Sequence, residues 1–177
     1  MLSAGIELMA DSGFRNRGIE MDISKDQLMA LVVTAEKMNV MELQYKYVRS
    51  VDTRDWKASV DVFHSEGVLY VVEAGTKKLI GGKSEIEAFF REIASRDFIF
   101  ARHSITNPVV SVDGDNASFK SYYHTTFVHD TFTKVIFGYY DDRLAKEKGE
   151  WKITEKQIIL GWNDFLIPLR ELKVAKE

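Results

Sequence analysis

The spacing of apolar residues changes near Ala101, and this change limits the folds that the chain can adopt. Upstream of it, apolar residues recur every three or four positions, as they do on one face of an amphipathic helix. Downstream, they alternate with polar residues, as they do in strands that have one buried face. Helices followed by a run of long strands are typical of the α+β class. The predicted strands span 101–112, 117–129, 134–146 and 151–162.

Local signals set the expected ends of the helices. Ser24 and Gln27 have the spacing of a capping box, so a helix is predicted to begin there. A strand at 66–73 is expected before the long strands. A strongly twisted sheet of this kind can curl around helices and enclose a pocket. The other predicted boundaries are a break between two helices at Asn39, an end near Thr53, a short helix from Asp55, and a third helix capped by Ser84.

Composition excludes several classes of function. The chain has no cysteine, which rules out disulfides, thiolate catalysis and cysteine-based metal sites. The net charge is −3 and the basic residues are scattered, so no nucleic acid partner is expected. The four histidines lack metal-binding spacing and the glycines lack a nucleotide-binding motif, so neither metal nor cofactor is expected.

The length of 177 residues is consistent with one domain. No apolar run approaches the ~20 residues of a membrane span, and the N-terminus lacks the basic region of a signal peptide. We therefore expect a cytoplasmic protein without membrane contact. The predicted organisation is a flexible arm at 1–22, a domain at 23–165 and a C-terminal tail at 166–177.

His103 is the candidate base. Strand alternation puts His103, Ile105, Asn107 and Val109 on one face, and the two aliphatic residues indicate that this face is buried. A neutral imidazole there can accept a proton, and a nearby carboxylate would stabilise the imidazolium that forms. The alternative is a histidine of the core that is hydrogen-bonded to the backbone.

Asp52 is the candidate partner of that histidine. A carboxylate near a helix C-terminus is opposed by the helix dipole, so its position requires a favourable contact. That contact is either a catalytic group or an ion pair with Arg49 or Arg54. Tyr47 lies about 140° from Asp52 around a straight helix, so both reach one pocket only if the pocket wraps around the helix end. Tyr47 can alternatively be a ring of the core.

Five further residues are candidates for contact with a substrate. Alternation directs Tyr123 into the cavity and His124 away from it, unless a bulge turns His124 inward. Tyr140 either lines the pocket or packs within the sheet. Asn107 either binds a ligand or serves its strand, and Trp56 is expected to pack beneath the pocket.

Three segments resemble the SnoaL-like branch of the nuclear transport factor 2-like superfamily. They are the pattern Tyr47-x4-Asp52-x3-Trp56, residues 102–117, and residues 138–144 together with 149–155. The resemblance implies a cone-shaped, cystatin-like fold, in which a curved mixed sheet wraps around N-terminal helices and encloses a deep apolar pocket.

Within that superfamily the chain is similar to cofactor-free lyases such as scytalone dehydratase, bile-acid dehydratase and the dehydrochlorinases. Those enzymes use an Asp on the first long helix and a His on a later strand, assisted by tyrosines. The resemblance therefore implies a catalytic set of Asp52, His103 and Tyr47. The expected substrate is a hydrophobic, aromatic or cyclic hydroxylated small molecule, as in the metabolism of aromatic compounds.

Two other functions are compatible with the same residues. The cone can bind a ligand or a partner without chemistry, or it can serve as the small subunit of a ring-hydroxylating dioxygenase. The outer face of the sheet, with Tyr122, His124 and Val128, is aromatic enough to favour burial against another subunit. A homodimer or homotrimer is therefore expected.

Overall fold

The first long helix is continuous and ends at the candidate site. A computed structural model describes residues 23–161 and 165–168. Helix α1 spans Lys25–Asp52, and both hydrogen bonds of the Ser24 and Gln27 capping box are present, as predicted. The predicted break at Asn39 is wrong. The Asn39 side chain is exposed, and its amide donates to the Glu36 side chain on the same helix. Because the amide does not compete for backbone groups, the hydrogen bonds of the helix continue through this position.

The remaining helices are short. The Asp55 carboxylate accepts the Ala58 N–H and caps α2, as predicted, whereas α3 begins after Gly82 rather than at Ser84, whose hydroxyl donates to Glu85 instead. The elements after α1 are α2 Trp56–Asp61, β1 Phe63–Glu73, β2 Thr76–Gly81, α3 Lys83–Ser95, β3 Phe100–Asp113, β4 Asn116–Val128, β5 Phe132–Glu147, β6 Glu150–Leu160 and β7 Phe165–Pro168.

The strands form one curled mixed sheet in the order β2-β1-β6-β5-β4-β3, and β7 pairs with β5. The pair β1–β6 is parallel and the other pairs are antiparallel. The inner face of the sheet packs on α1 and α3, which confirms the predicted α+β cone. None of the helices in the described part of the chain is long and apolar enough to cross a membrane.

A bulge in β3 changes which of its residues face inward. In β3, Asn107 and Pro108 form a bulge between Thr106 and Val109, and Asn107 has a φ of 52°. The bulge accommodates Pro108, which lacks an N–H for the ladder. It also reverses the alternation. The expected shared face of His103, Asn107 and Val109 is therefore wrong beyond Ile105, because Asn107 is exposed and Val109 is 65% exposed.

The limits of the predicted domain remain predictions. The arm at 1–22 lies outside the described residues, as does the tail beyond Pro168. Strand β7 extends three residues into the segment that we predicted as tail, because its backbone pairs with β5 between Phe132 and Val135.

One carboxylate joins the middle of α1 to the β5–β6 hairpin. Glu36 accepts hydrogen bonds from Lys146 Nζ at 2.6 Å and from Trp151 Nε1 at 2.7 Å. The Lys146 bond, followed by the Trp151 bond, lowers the pKa of Glu36 below its usual 4.5. A carboxyl whose folded-state pKa is depressed stabilises the fold above its unfolded pKa, and this stabilisation is lost as the pH falls through the folded pKa.

We therefore expect Glu36→Gln to lower the free energy of unfolding at neutral pH and to have a smaller effect at an acidic pH below the depressed folded-state pKa, where the wild-type carboxyl is protonated. Urea denaturation at both pH values measures the difference. Glu42→Gln, an exposed position on the same helix, is the control and should be neutral. An equal loss for Glu36→Gln at both pH values would show that the charge is not responsible.

Candidate active site

The end of α1 and the start of β3 bring a carboxylate and an imidazole into contact. Asp52 is the last residue of α1, and its Oδ1 lies 2.6 Å from Nδ1 of His103. Both side chains are buried, with 6% and 9% exposure. Because an ionised carboxylate can only accept a hydrogen bond, Nδ1 carries the proton of this bond and Nε2 is the ring nitrogen left for other groups.

Asp52 also fixes the backbone of β3. Its two oxygens accept the backbone N–H of His103 at 3.1 and 3.0 Å. In the described residues its ion-pair partner is His103 and not Arg49 or Arg54. The Arg54 guanidinium instead lies 4.1 Å from the Phe98 ring centroid and donates to the Phe98 carbonyl. The negative end of the helix dipole repels a carboxylate at the C-terminus of α1. The three hydrogen bonds from His103 to Asp52 compensate for this repulsion.

His103 forms part of the wall of an apolar cavity inside the cone. The cavity has a volume of about 250 Å³, slightly below the range common for drug-sized ligands, and therefore suits a compound of one or two rings. Aromatic and aliphatic side chains dominate its wall. The lining residues are Tyr47, Val51, Val71, Phe89, Phe90, Ile93, Arg96, His103, Tyr123, Thr125, Phe127, Ile136, Tyr140, Ile158 and Leu160.

Tyr123 contributes a hydroxyl that has no hydrogen-bond partner among the described residues. Its side chain is 5% exposed, and within that part of the chain its oxygen neither accepts nor donates a hydrogen bond. An unpaired buried hydroxyl is costly, so it is an expected place for a polar group of a ligand. Burial raises the pKa of Tyr123, which keeps the phenol protonated and able to donate at neutral pH.

Tyr47 and Tyr140 complete the aromatic part of the wall. Tyr140 stacks on Tyr123 with ring centroids 4.4 Å apart, and Tyr47 meets Tyr140 edge-on at 6.1 Å. Burial raises the pKa of both phenols, so they too are donors. The angular separation between Tyr47 and Asp52 is not an obstacle, because Tyr47 faces the cavity whereas Asp52 reaches it only through His103.

Three predicted substrate contacts lie elsewhere. His124 is half-buried on the outer face of β4, with its ring 6.1 Å from Phe137, as alternation had predicted. Asn107 is exposed at the β3 bulge, in a surface depression with Tyr122, because the bulge turns it off the inner face. Trp56 is half-buried beneath the Arg91 guanidinium, at 3.7 Å. None of the three lines the cavity that contains His103.

A buried charged cluster behind the wall was not predicted. Lys156 and Asp142 are both 0% exposed, and Lys156 Nζ lies 2.7 Å from Asp142 Oδ2. Lys156 faces inward because β6 has one extra residue between Ile153 and Glu155. Because of this bulge, Ile153 and Ile158 both face inward although an odd number of positions separates them.

Two further features of the described residues bear on the choice of site. A larger cleft of about 490 Å³ lies between α1 and the β5–β6 hairpin, but it is polar and built around the Glu36 contacts. In the part of the chain that the structure describes, no group of three or more histidine and acidic side chains is arranged to hold a metal ion. The cavity beside His103 therefore remains the candidate active site.

The fold and the buried Asp–His pair define a cone of the nuclear transport factor 2-like type. The model of the SnoaL-like domain matches residues 33–157, more than half of the chain. The protein therefore belongs to the SnoaL-like family. A comparison with curated protein sequences gave no significant match.

Three solved structures illustrate the shared fold. A protein provisionally named a scytalone dehydratase, from Novosphingobium aromaticivorans, is 14% identical, with a TM-score of 0.67 over 84% of this chain and 100% of that one. LinA is 15% identical, with a TM-score of 0.66 over 84% and 99%. The β subunit of a provisionally assigned aromatic-ring-hydroxylating dioxygenase from N. aromaticivorans is 16% identical, with a TM-score of 0.65 over 78% and 99%.

The position of Tyr123 depends on a glycine opposite it. A Cβ at Gly138 would lie 2.2 Å from the Ile159 carbonyl oxygen and 2.7 Å from the Tyr123 hydroxyl. We expect Gly138→Ala to lower the free energy of unfolding by about 1–3 kcal/mol through overpacking and to displace Tyr123 from Tyr140.

Chemical denaturation and the near-ultraviolet circular dichroism of the tyrosines test this expectation together. Gly82→Ala is a suitable control, because a Cβ there meets nothing closer than 3.9 Å. If Gly138→Ala were as stable as wild type with an unchanged aromatic spectrum, the close contact described for Tyr123 would be incorrect.

Proposed function

We propose that the protein is a cofactor-independent lyase or isomerase acting on a hydrophobic, cyclic or aromatic hydroxylated compound. The observation that carries this proposal is the 2.6 Å contact between Asp52 and His103 at the wall of an apolar cavity. A carboxylate that holds Nδ1–H leaves Nε2 as the basic atom and stabilises the imidazolium. The unpaired Tyr123 hydroxyl supplies a donor in the same cavity.

The proposed reaction begins with proton transfer from carbon. Nε2 of His103 removes a proton from the carbon next to a carbonyl, and the C–H electron pair forms an enolate. The enolate oxygen accepts a hydrogen bond from Tyr123, with Tyr47 or Tyr140 as further donors. Buried donors aimed at a developing negative charge are effective because little water competes with them.

The fate of the enolate distinguishes a lyase from an isomerase. In water elimination its electrons form a carbon–carbon double bond, the C–O bond at the next carbon breaks, and the leaving hydroxyl takes the proton from the imidazolium. In isomerisation the imidazolium returns that proton to a different carbon. Elimination of another small group from the enolate would use the same base and donors. In retro-aldol loss of an aldehyde, His103 would instead remove the proton of the hydroxyl group, the carbon–carbon bond would break to give the aldehyde and an enolate, and the imidazolium would return the proton to the enolate carbon.

The first step can be tested before the substrate is known. A small benzo-fused ketone incubated in D2O exchanges its α-protons if the enzyme forms its enolate, and mass spectrometry measures the rate. A β-hydroxyindanone tests water elimination by the rise in ultraviolet absorbance of its enone. We expect His103→Ala to lower either rate by about 10²–10⁴-fold, the usual contribution of a positioned base.

Asp52→Asn should also lower the rate, and His124→Ala, on the outer face of the sheet, should not. Circular dichroism checks that each variant is folded. Near-wild-type exchange by His103→Ala in a folded protein would refute the assignment of the base.

A non-catalytic role is the second candidate, favoured by the similarity in fold to a dioxygenase β subunit. In that case the cavity binds the ketone with equal affinity in wild type and His103→Ala, and neither exchanges protons. Co-purification with a large iron–sulfur subunit would support the accessory version of this role.

We further propose that the outer face of the sheet mediates self-association as a dimer or trimer. Tyr122 is 63% exposed there, beside Tyr139 at 45%. Rings so exposed on one sheet face favour burial against another subunit. Tyr122→Ser should shift the mass measured by light scattering toward the monomer, whereas Tyr45→Ser, at an exposed position of α1, should not. A monomeric wild type would exclude the proposal.

A further inference from the structure

The cluster behind the cavity wall is buried more completely than stability alone explains. Lys156, Asp142 and Gln44 each have 0% exposure. A buried ion pair is often no more stabilising than apolar side chains of the same volume, because both charges lose their hydration. Burial accordingly raises the pKa of Asp142 and lowers that of Lys156.

Hydrogen bonds fix the orientation of this ion pair. Lys156 Nζ donates to Asp142 Oδ2 at 2.7 Å and to Gln44 Oε1 at 3.3 Å. The Asp142 carboxylate also accepts Gln44 Nε2 at 3.0 Å and the Gln157 backbone N–H at 3.3 Å. These bonds hold both side chains in one arrangement and favour their charged forms.

The ammonium contacts the tyrosines of the wall. Lys156 Nζ lies 4.0 Å from the ring centroid of Tyr47 and 4.0 Å from that of Tyr140. Tyr140 in turn stacks on Tyr123. Lys156 itself does not line the cavity, so it can influence a bound molecule only through these rings.

We propose that Lys156, held by Asp142 and Gln44, is a positioning residue that orients and polarises the phenols of Tyr47 and Tyr140 for hydrogen bonding to the substrate oxygen. A cation over a ring face is attracted to the ring's electron density and fixes its position. Burial, and to a smaller extent the Asp142 charge, raises the pKa of both phenols. The ammonium opposes that charge and so strengthens their hydroxyls as donors to an enolate. The catalytic part of this inference rests on the proposed function, whereas the electrostatic part does not.

The variant for the test must not leave a lone charge in the core. Lys156→Met combined with Asp142→Asn removes both charges and retains an acceptor and a donor for Gln44 and Gln157. Asp142→Asn alone is the second variant. This variant retains the Lys156 side chain and its volume. Without the Asp142 carboxylate as counter-ion, however, the buried Lys156 amine becomes neutral. Lys152→Met is the matched control, since Lys152 is on the same strand and pairs with Asp61.

The first measurement does not require activity. Tyrosine labelled with ¹³C at Cζ reports the electron density of each phenol by NMR. We expect the resonances of Tyr47 and Tyr140 to shift in both variants, and those of exposed Tyr45 to stay unchanged. Lys152→Met should leave all of them in place. Unshifted Tyr47 and Tyr140 resonances in either folded variant would overturn the proposal.

The second measurement separates orientation of the phenols from simple packing. In the ketone exchange assay we expect kcat to fall roughly tenfold, in line with the loss of cation–π contacts, with KM within about twofold of wild type. A raised KM with unchanged kcat would overturn the catalytic role. If wild type exchanges no protons, the proposed reaction fails, and the NMR result still decides whether Lys156 polarises the phenols.

Discussion

The contact between Asp52 and His103 holds the end of the first helix against the sheet and orients the imidazole in the cavity wall. One carboxylate accepts the backbone N–H and the Nδ1 proton of a residue 51 positions away, and so joins the end of α1 to β3. The hydrogen bonds to the His103 backbone N–H fix the position of β3, and the hydrogen bond to Nδ1 fixes the orientation of the imidazole ring. Since the same two oxygens do both, removal of the carboxylate alters the wall of the cavity as well as the basicity of the imidazole.

Burial gives the cavity its chemical character. Tyr47, Tyr123 and Tyr140 are each at most 5% exposed, and burial raises the pKa of all three. Phenols that stay protonated are donors, so the wall presents several donors around a single imidazole. Such a wall stabilises an oxygen that gains negative charge, and the ammonium of the ion pair behind it lies over two of these rings, those of Tyr47 and Tyr140.

The sequence predicted the parts of the fold that follow a regular period and missed those that break it. The capping box of α1, the four long strands and the inward position of Tyr123 follow from local pattern, and the family resemblance paired Asp52 with His103. The bulges in β3 and β6 do not follow from the alternation of apolar residues, and in each strand one extra residue reverses every later side chain. The β3 bulge turns Asn107 away from the cavity, and the β6 bulge turns Lys156 into the core behind the cavity wall, where a lysine is not expected from its hydropathy.

The family and the fold do not determine which reaction the protein could catalyse. The side chains that line the cavity reduce the number of reactions that are compatible with it. Proteins of different names share this cone at 14–16% identity, so the backbone is compatible with more than one activity. Among the described residues that line the cavity, His103 is the one whose side chain has a basic nitrogen that can accept a proton. A single base must also return the proton that it takes. Under the proposed function, reactions in which one group serves as both base and acid, such as loss of water or migration of a double bond, therefore fit this wall better than reactions that need two.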